Sequence, residues 1–493
     1  MLCIIRVPRI FSFDGWAFGA QGAGLTTEYL AREGYRPAVD FFYMYGLLPL
    51  LAGRVWTGAL GATPFTWFAA KFICGLFMVR ALARFATASR LPPIGIAFLI
   101  LALPFAILPT YPQLAHSIEA ALLLNALAEQ AAGKHPRALA LATAASFAKP
   151  GLAYVYGLLL LLIIVRRCWQ NRDSFFKQLF SSMLPAIGTA LTLAITLATV
   201  YGPQSLFKTL MPTEGMLLYK LTKAGPLNAV AFVHPAGVRI GYYLGTGAGF
   251  WTLGTTWMLS CGVVATLRFW NHSIDDRKAQ LANEVVFSCA FLHLAFVLLG
   301  YGNDPGTWTY YSYVLVMGIA ATSLWQHFSG AVVGALAILA ALGQKADVSS
   351  SLEQLHSTAS SPLTAGLWAK ADERVEWQSV MRAVAQRPDP KTGCGNYSAM
   401  LSYEGGLQLI VPGFGKPETA FFLPGFPVDR GSAARIQQIN KAFLIVVPEK
   451  FQSVEEALLL ITIDRSVLAD SEPVFKGKYF SVYRKLSCQP IGG

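Results

Sequence analysis

ALALATAASFAKPGLAYVYGLLLLLIIVR, residues 138–166, reads either as one long membrane helix or as two short ones, and the rest of the topology follows from that choice. A bilayer core takes about 20 apolar residues of helix. Lys149-Pro150-Gly151 falls inside the stretch. Proline has no N–H to donate and crowds the preceding turn, and glycine is conformationally loose, so the helical ladder breaks there. The flanking charges agree. Lys134 and Arg137 precede the stretch, and Arg166, Arg167, Arg172 and Lys177 end or follow it. Short cytoplasmic loops collect Lys and Arg. Both patches lie inside only if the chain crosses twice between them, which puts Lys149 at the outer face.

Composition widens the reading to the whole chain. Hydrophobic residues make up 54% of the 493 and charged residues 13%, against about 25% charged in an average soluble domain; the mean hydropathy is +0.47. The fold class is therefore a polytopic α-helical membrane protein. Further apolar runs at 64–86, 93–111, 114–132, 179–201, 249–269, 284–301, 309–327 and 329–344 bring the expected number of spans to about ten. The net charge of +12 is confined to residues 1–345, which hold 24 Lys+Arg against 12 Asp+Glu, whereas 346–493 hold 15 of each. Arg80, Arg84, Arg90, Arg268, Arg277 and Lys278 join the cytoplasmic set under the same rule. Basic residues are nowhere interleaved with aromatics as on a nucleic-acid surface, so the expected partners are membrane lipids and not nucleic acid.

Carried along the chain, this count places residues 1–63, the 202–248 loop, the turn at Asn303-Asp304 and everything after 345 on the external side of the inner or plasma membrane. Residues 1–63 read as an external acidic loop with interfacial helices, 64–345 as the membrane domain and 346–493 as a small external α/β domain. The 43–63 segment, with Arg54 and Trp56, is expected to lie in the interface, because counting it as a span would turn every basic patch outward. The start, cut by Arg6, Pro8 and Arg9, is too interrupted for a span or leader, which suggests that a first membrane helix is missing.

In the tail, 368–385 has helical spacing, 407–411, 442–447 and 479–483 read as strands, and 454–463 as a further helix. The tail contains no phosphate loop, metal-spaced Cys/His cluster or nucleophile elbow. Of seven cysteines, Cys74, Cys168, Cys261 and Cys289 lie in or beside spans and read as packing residues, while Cys394 and Cys488 share the external tail and are a candidate disulfide.

The chemistry is expected at the outer edge. Carboxylates at a bilayer surface suit a reaction on a lipid-linked substrate, and Asp14 and Asp40 lie in the first loop. Asp14 has capping of the next helix as its alternative and Asp40 has orienting the loop. Lys149 at the outer apex, with Arg239 and His234 in the 202–248 loop, could meet a phosphate; a helix-end lysine also snorkels without binding anything. His116 and Glu119, one turn apart on a span, are substrate-binding candidates whose alternative is a structural pair with Lys71. His293 reads as a packing histidine and Asp304 as a turn residue.

Asp14-Gly15-Trp16, Gly34-Tyr35-Arg36-Pro37 and Asp40-Phe41-Phe42-Tyr43-Met44-Tyr45-Gly46-Leu47-Leu48-Pro49 together resemble the first external loop of GT-C-fold membrane glycosyltransferases. That group includes the dolichyl-phosphate-mannose-dependent mannosyltransferases and the bacterial lipid A aminoarabinose transferases. Glu119, the Ala148-Lys149-Pro150-Gly151 break, the long external loop and the C-terminal domain extend the likeness. It implies an inverting transfer of a sugar from a polyprenyl-phosphate donor to a lipid- or glycan-linked acceptor, with Asp14 as base. The second acidic residue common beside that aspartate is replaced here by Gly15 and Trp16, so a divalent metal cofactor stays open. A multi-span transporter, whose sites also use broken helices, and a noncatalytic envelope-glycan assembly protein are the alternatives.

Overall fold

The structure is a computed structural model, and it describes residues 21–41, 43–61, 63–107, 114–169, 174–212, 249–270, 277–298, 305–325, 329–341, 358–360, 368–386, 388, 392–401, 408–409, 411–417, 437–449 and 465–488. The chain opens on α1 (Gln21–Arg32) and α2 (Leu48–Leu60), joined by a loop that turns at residues 36–40. At 13 residues α2 is about 20 Å long, short of the roughly 30 Å bilayer core. Its Val55 and Leu60 are exposed while Pro49, Leu50, Gly53 and Thr57 are buried, the pattern of a helix lying on a surface.

The ten apolar stretches of the sequence each carry a helix. They are α3 (Pro64–Ser89), α4 (Pro93–Ile107), α5 (Leu114–Ala131), α6 (His135–Ala148), α7 (Leu152–Trp169), α8 (Phe175–Tyr201), and, beyond the short α9 (Pro203–Leu210), α10 (Gly249–Trp270), α11 (Arg277–Leu298), α12 (Pro305–Thr322) and α13 (Ser329–Ala341). Among the described residues, those within α3, α7 and α8 are long and apolar enough to cross a membrane by themselves. Helix α8 is the most peripheral, with Phe176 82% and Ile195 66% exposed. Helix α5 is the opposite case. It is buried along most of its length against α3 and α6, its polar residues included.

Helices α6 and α7 form an antiparallel hairpin around the break, so His135 and Arg167 lie at one end and Lys149 at the other. The His135 end is closed by polar contacts across helices. Glu284 of α11 accepts from Arg167 Nε and Nη2 at 2.9–3.1 Å and meets His135 Nε2 at 3.0 Å. Tyr156 donates to Gln130, which donates to Ser288. Arg84 pairs there with Glu129. Arg84, Arg167 and His135 thus share one end of the bundle.

The tail folds as a four-stranded sheet in the order β3 (Gly395–Met400), β4 (Ala442–Pro448), β6 (Phe480–Lys485), β5 (Ser471–Lys476), with β3 and β4 parallel and the other pairs antiparallel. Strand β4, AFLIVVP, is buried throughout, as an apolar run covered on both faces should be. Helix α14 (Ala371–Val384) covers one face through Trp377, Val380 and Val384. Its Glu376 accepts the backbone N–H groups of Lys478, Tyr479 and Phe480, latching the helix to the turn before β6. Tyr479 donates to Asp372 at 2.7 Å, which holds that carboxyl below its usual range. The tail's apolar cluster continues into Leu25, Trp67, Ala70 and Leu114 at the starts of α1, α3 and α5, so the sheet domain sits at the Lys149 end.

Two expectations for the tail are corrected. Residues 368–370 form a strand, β2, paired with β1 (Thr358–Ser360), and the helix begins only at Ala371. The strand read at 407–411 is absent among the described residues, where Gln408 and Leu409 are helical. Pro412 and Gly413, the latter at φ +91°, interrupt extended backbone there, and the edge of β3 is bonded instead by Gly413 and Gly415 through Ser398. The helix expected at 454–463 lies outside the described residues.

Candidate functional site

The break between α6 and α7 follows from its three residues. A residue before proline is pushed out of the α region, and Lys149 is extended, with φ −154° and ψ 110°. Its N–H still closes the last turn onto Ala145 O at 2.9 Å. Gly151 takes φ +110°, a conformation side-chain-bearing residues rarely adopt, and α7 starts immediately after it. The chain therefore reverses within three residues and leaves Lys149 at the apex, 5% exposed.

There Lys149 Nζ stands 3.8 Å from Glu119 Oε2, and Glu119 is fully buried. His116, one turn earlier on α5, is buried beside it and packs edge-on to Tyr45 with ring centroids 5.0 Å apart. The ion pair with Lys71, the alternative given for this face, is not found among the described residues; Glu119 takes the lysine that the break delivers.

The first loop meets the same place. Phe41, Tyr43 and Tyr45, at alternate positions of the loop, are buried, with edge-on contacts from Phe41 to Tyr43 and from Tyr43 to Tyr45. The ladder ends on His116. Gly46 then donates to Ala148 O at 3.0 Å. A Cβ at Gly46 would strike the Phe147 carbonyl, so only glycine lets the loop approach the break this closely. The Tyr43 hydroxyl donates to Gly46 O, and burial raises its pKa well above the ordinary phenol value.

Of the sequence-derived candidates, Lys149, Glu119 and His116 come together. Asp40 does not join them. Its carboxylate accepts the Arg36 backbone N–H at 2.8 Å and the Arg36 guanidinium at 3.1 Å from both Nε and Nη2, so it staples the 36–40 turn in the role given as its alternative. Asp14, His234 and Arg239 lie outside the described residues, as does Asp304. Cys394 and Cys488 are disulfide-bonded, with Cα atoms 4.9 Å apart across the end of the sheet, well away from this site in the chain. His293 meets Thr255 Oγ1 at 3.0 Å and stacks on Phe296, a packing histidine. Among the described residues no group of three or more His, Cys, Asp or Glu could hold a metal ion.

Sequence reasoning missed Glu28 on α1, 2% exposed. Desolvation raises its pKa, offset in part by Thr57, Arg32 and Arg54. A signal existed. Glu28 falls one turn from both Leu25 and Ala31, on the buried face of its helix, and an acid on an apolar face is the pattern to look for.

No family model matches this chain, and no curated protein does. Its structural neighbours include the crystal structure of ArnT from Cupriavidus metallidurans bound to undecaprenyl phosphate, at 12% identity and a TM-score of 0.48 over 97% of this chain and 96% of that one. The apo-state crystal structure of the same protein overlaps at 12% identity and a TM-score of 0.38, covering 94% of this chain and 92% of that one. At that degree of overlap the functional reading rests on the residues above.

Proposed function

We propose that this chain is an integral-membrane glycosyltransferase that moves a sugar from a polyprenyl-phosphate donor to a lipid- or glycan-linked acceptor at the external face. The observation that carries the reading is the buried Lys149–Glu119 pair at the helix break, beneath the first loop and on the tail side of the bundle. A lipid phosphate leaving group needs a cation at headgroup depth, held in place before the reaction begins. At 3.8 Å the pair is an ion contact, longer than a charge-assisted hydrogen bond of about 2.7–2.9 Å, and an ammonium carries three N–H donors to share between Glu119 and a phosphate.

The step balances simply. The acceptor hydroxyl attacks the anomeric carbon, its proton passes to the Asp14 carboxylate, and the C–O bond to the polyprenyl phosphate breaks with its electron pair going to the phosphate, inverting the centre. Glu119 positions Lys149, and the aromatic ladder with His116 walls the site. The tail and the first loop stand on the external side in this reading, because Lys149 is the apex opposite the basic end.

The test is label transfer from a polyprenyl-phosphate sugar by the purified full chain in detergent. Asp14→Asn and Lys149→Ala should each lower the rate by about 100-fold or more. Full-rate transfer by Asp14→Asn defeats the assignment of the base, and solute uptake into proteoliposomes with no transfer makes the protein a carrier.

A further inference from the structure

A second set of buried polar groups lies at the same end of the bundle, where α1, α2 and the end of α8 converge. Helix α8 runs back from the His135 end, so its last residue, Tyr201, reaches the Lys149 end; there it packs in one apolar cluster with Tyr43 and with Phe147, two residues before Lys149. Tyr201 is 5% exposed and Glu28 2%, and the two lie close enough to influence each other's charge. Among the described residues, Glu28 Oε1 is buried without a hydrogen-bond partner, and the Tyr201 hydroxyl, with the Arg54 guanidinium beside its oxygen, has no acceptor for its proton. The Thr57 hydroxyl, which lies beside Glu28 and eases its burial, has its proton directed to Gly53 O at 2.8 Å. Gly53 keeps α2 close, since a Cβ there would already touch Glu28 Cγ at 3.4 Å. Folded proteins satisfy buried polar atoms, and two orphans near one another at a junction point to a ligand that supplies the missing bonds.

We propose that Glu28 and the Tyr201 hydroxyl form a polar subsite that takes hydroxyl groups of the sugar being transferred, and that they set which sugar is accepted. Charge selects the class of ligand. Arg32 and Arg54 both act on Glu28, so an amine or metal cation would compete with two guanidiniums, and an anion would face the carboxylate itself. A neutral hydroxyl avoids both penalties, donating to the carboxylate and accepting from the phenol. A site built to bond a hydroxyl rejects an analogue without it, because the buried partners are then left unpaired. The proposal rests on the glycosyltransferase reading and adds Glu28 and Tyr201 to it as specificity-determining residues.

The experiment has two arms on the purified full chain in a detergent without sugar headgroups. The first measures saturation-transfer NMR from the protein to methyl mannoside, methyl galactoside and methyl arabinoside. At least one glycoside should give a signal with the wild type and none with Glu28→Gln or Tyr201→Phe, both close in shape to the original residues, with melting checked for each. The second measures label transfer from a polyprenyl-phosphate sugar, where each variant should raise KM by about tenfold with little change in kcat. A merely structural role would move melting and leave both glycoside binding and KM alone, and that outcome overturns the proposal, as does the absence of signal from all three glycosides in the wild type. Glycoside binding that disappears in the variants, with no label transfer by any form, keeps the subsite and sinks the transferase. Label transfer with unchanged KM in both variants sinks the subsite and keeps the transferase.

Discussion

At one end of the α6–α7 hairpin, Glu284 is gripped by both Arg167 donors at 2.9–3.1 Å and by His135 at 3.0 Å; at the other, Lys149 and Glu119 meet at 3.8 Å beside a backbone reversal. Both acids are buried to 1% exposure or less. The first end ties α6, α7 and α11 together through short, multiply bonded contacts, which is how a buried charge is made structural. The second places a cation where the loop, the break and the tail converge. The proposed function turns on that difference, between a tie that holds the fold and a contact that would meet a substrate, and it can be attacked from either side.

The largest expected effect is at the structural end. Arg167→Met leaves Glu284 buried with only His135 and should cost about 3–5 kcal/mol of stability, read as a fall in melting temperature in detergent, while molecules that remain folded keep their transfer rate. If melting hardly moves, Glu284 is not the tie described here. The matched change at the other end removes both charges. Lys149→Met with Glu119→Leu should melt within about 1.5 kcal/mol of wild type, since replacing a whole buried pair by apolar residues is often neutral, yet transfer should drop about 100-fold. Equal activity in this double variant and in Arg167→Met/Glu284→Leu would erase the distinction between the ends.

How much of this was readable beforehand depends on which interactions decide each feature. The break was legible because Pro150 and Gly151 act locally on backbone geometry, and the flanking charges gave the expectation that it faces outward. The Lys149–Glu119 contact was legible only in part. Each residue stood out as an ionisable group in an apolar run, but which of Lys71 and Lys149 reached Glu119 depends on helix packing that no local pattern encodes. Asp40 looked like chemistry and proved to be a turn staple, because Arg36 sits four residues away and its fork fits the carboxylate. In the tail, Ala442–Pro448 announced itself as a buried strand, whereas Leu407–Val411 was apolar enough for one but is followed by Pro412 and Gly413. Asp14, the proposed base, lies outside the described residues.

The tail offers a third point of comparison, held covalently where the hairpin is held by charge. Replacing both Cys394 and Cys488 by serine opens a closure 94 residues apart in sequence and should cost the sheet domain about 2–4 kcal/mol. Because the tail cluster continues into Trp67 and Leu114, limited proteolysis should cut the variant faster within the sheet domain, with the His135 end unaffected. Unchanged cleavage and melting would mean that Trp377, Phe480 and the rest of that core suffice without the bridge.

The smallest effect tests the buried acid that neither end uses. Burial raises the pKa of Glu28, so the folded chain holds its proton at a pH where the unfolded chain, near the ordinary carboxyl value of about 4.5, has released it. Below both values the two states are equally protonated and Glu28 adds no pH dependence. As pH rises through the unfolded value the unfolded state ionises first, and stability falls until the folded carboxyl also ionises. Glu28→Gln has no proton to lose, so as pH rises from about 4.5 its melting temperature should gain on wild type until the folded carboxyl also ionises, and it should match wild type most closely at the acid limit. A constant offset across that range would show that Glu28 is already ionised in the folded state and bonded well enough to stay so.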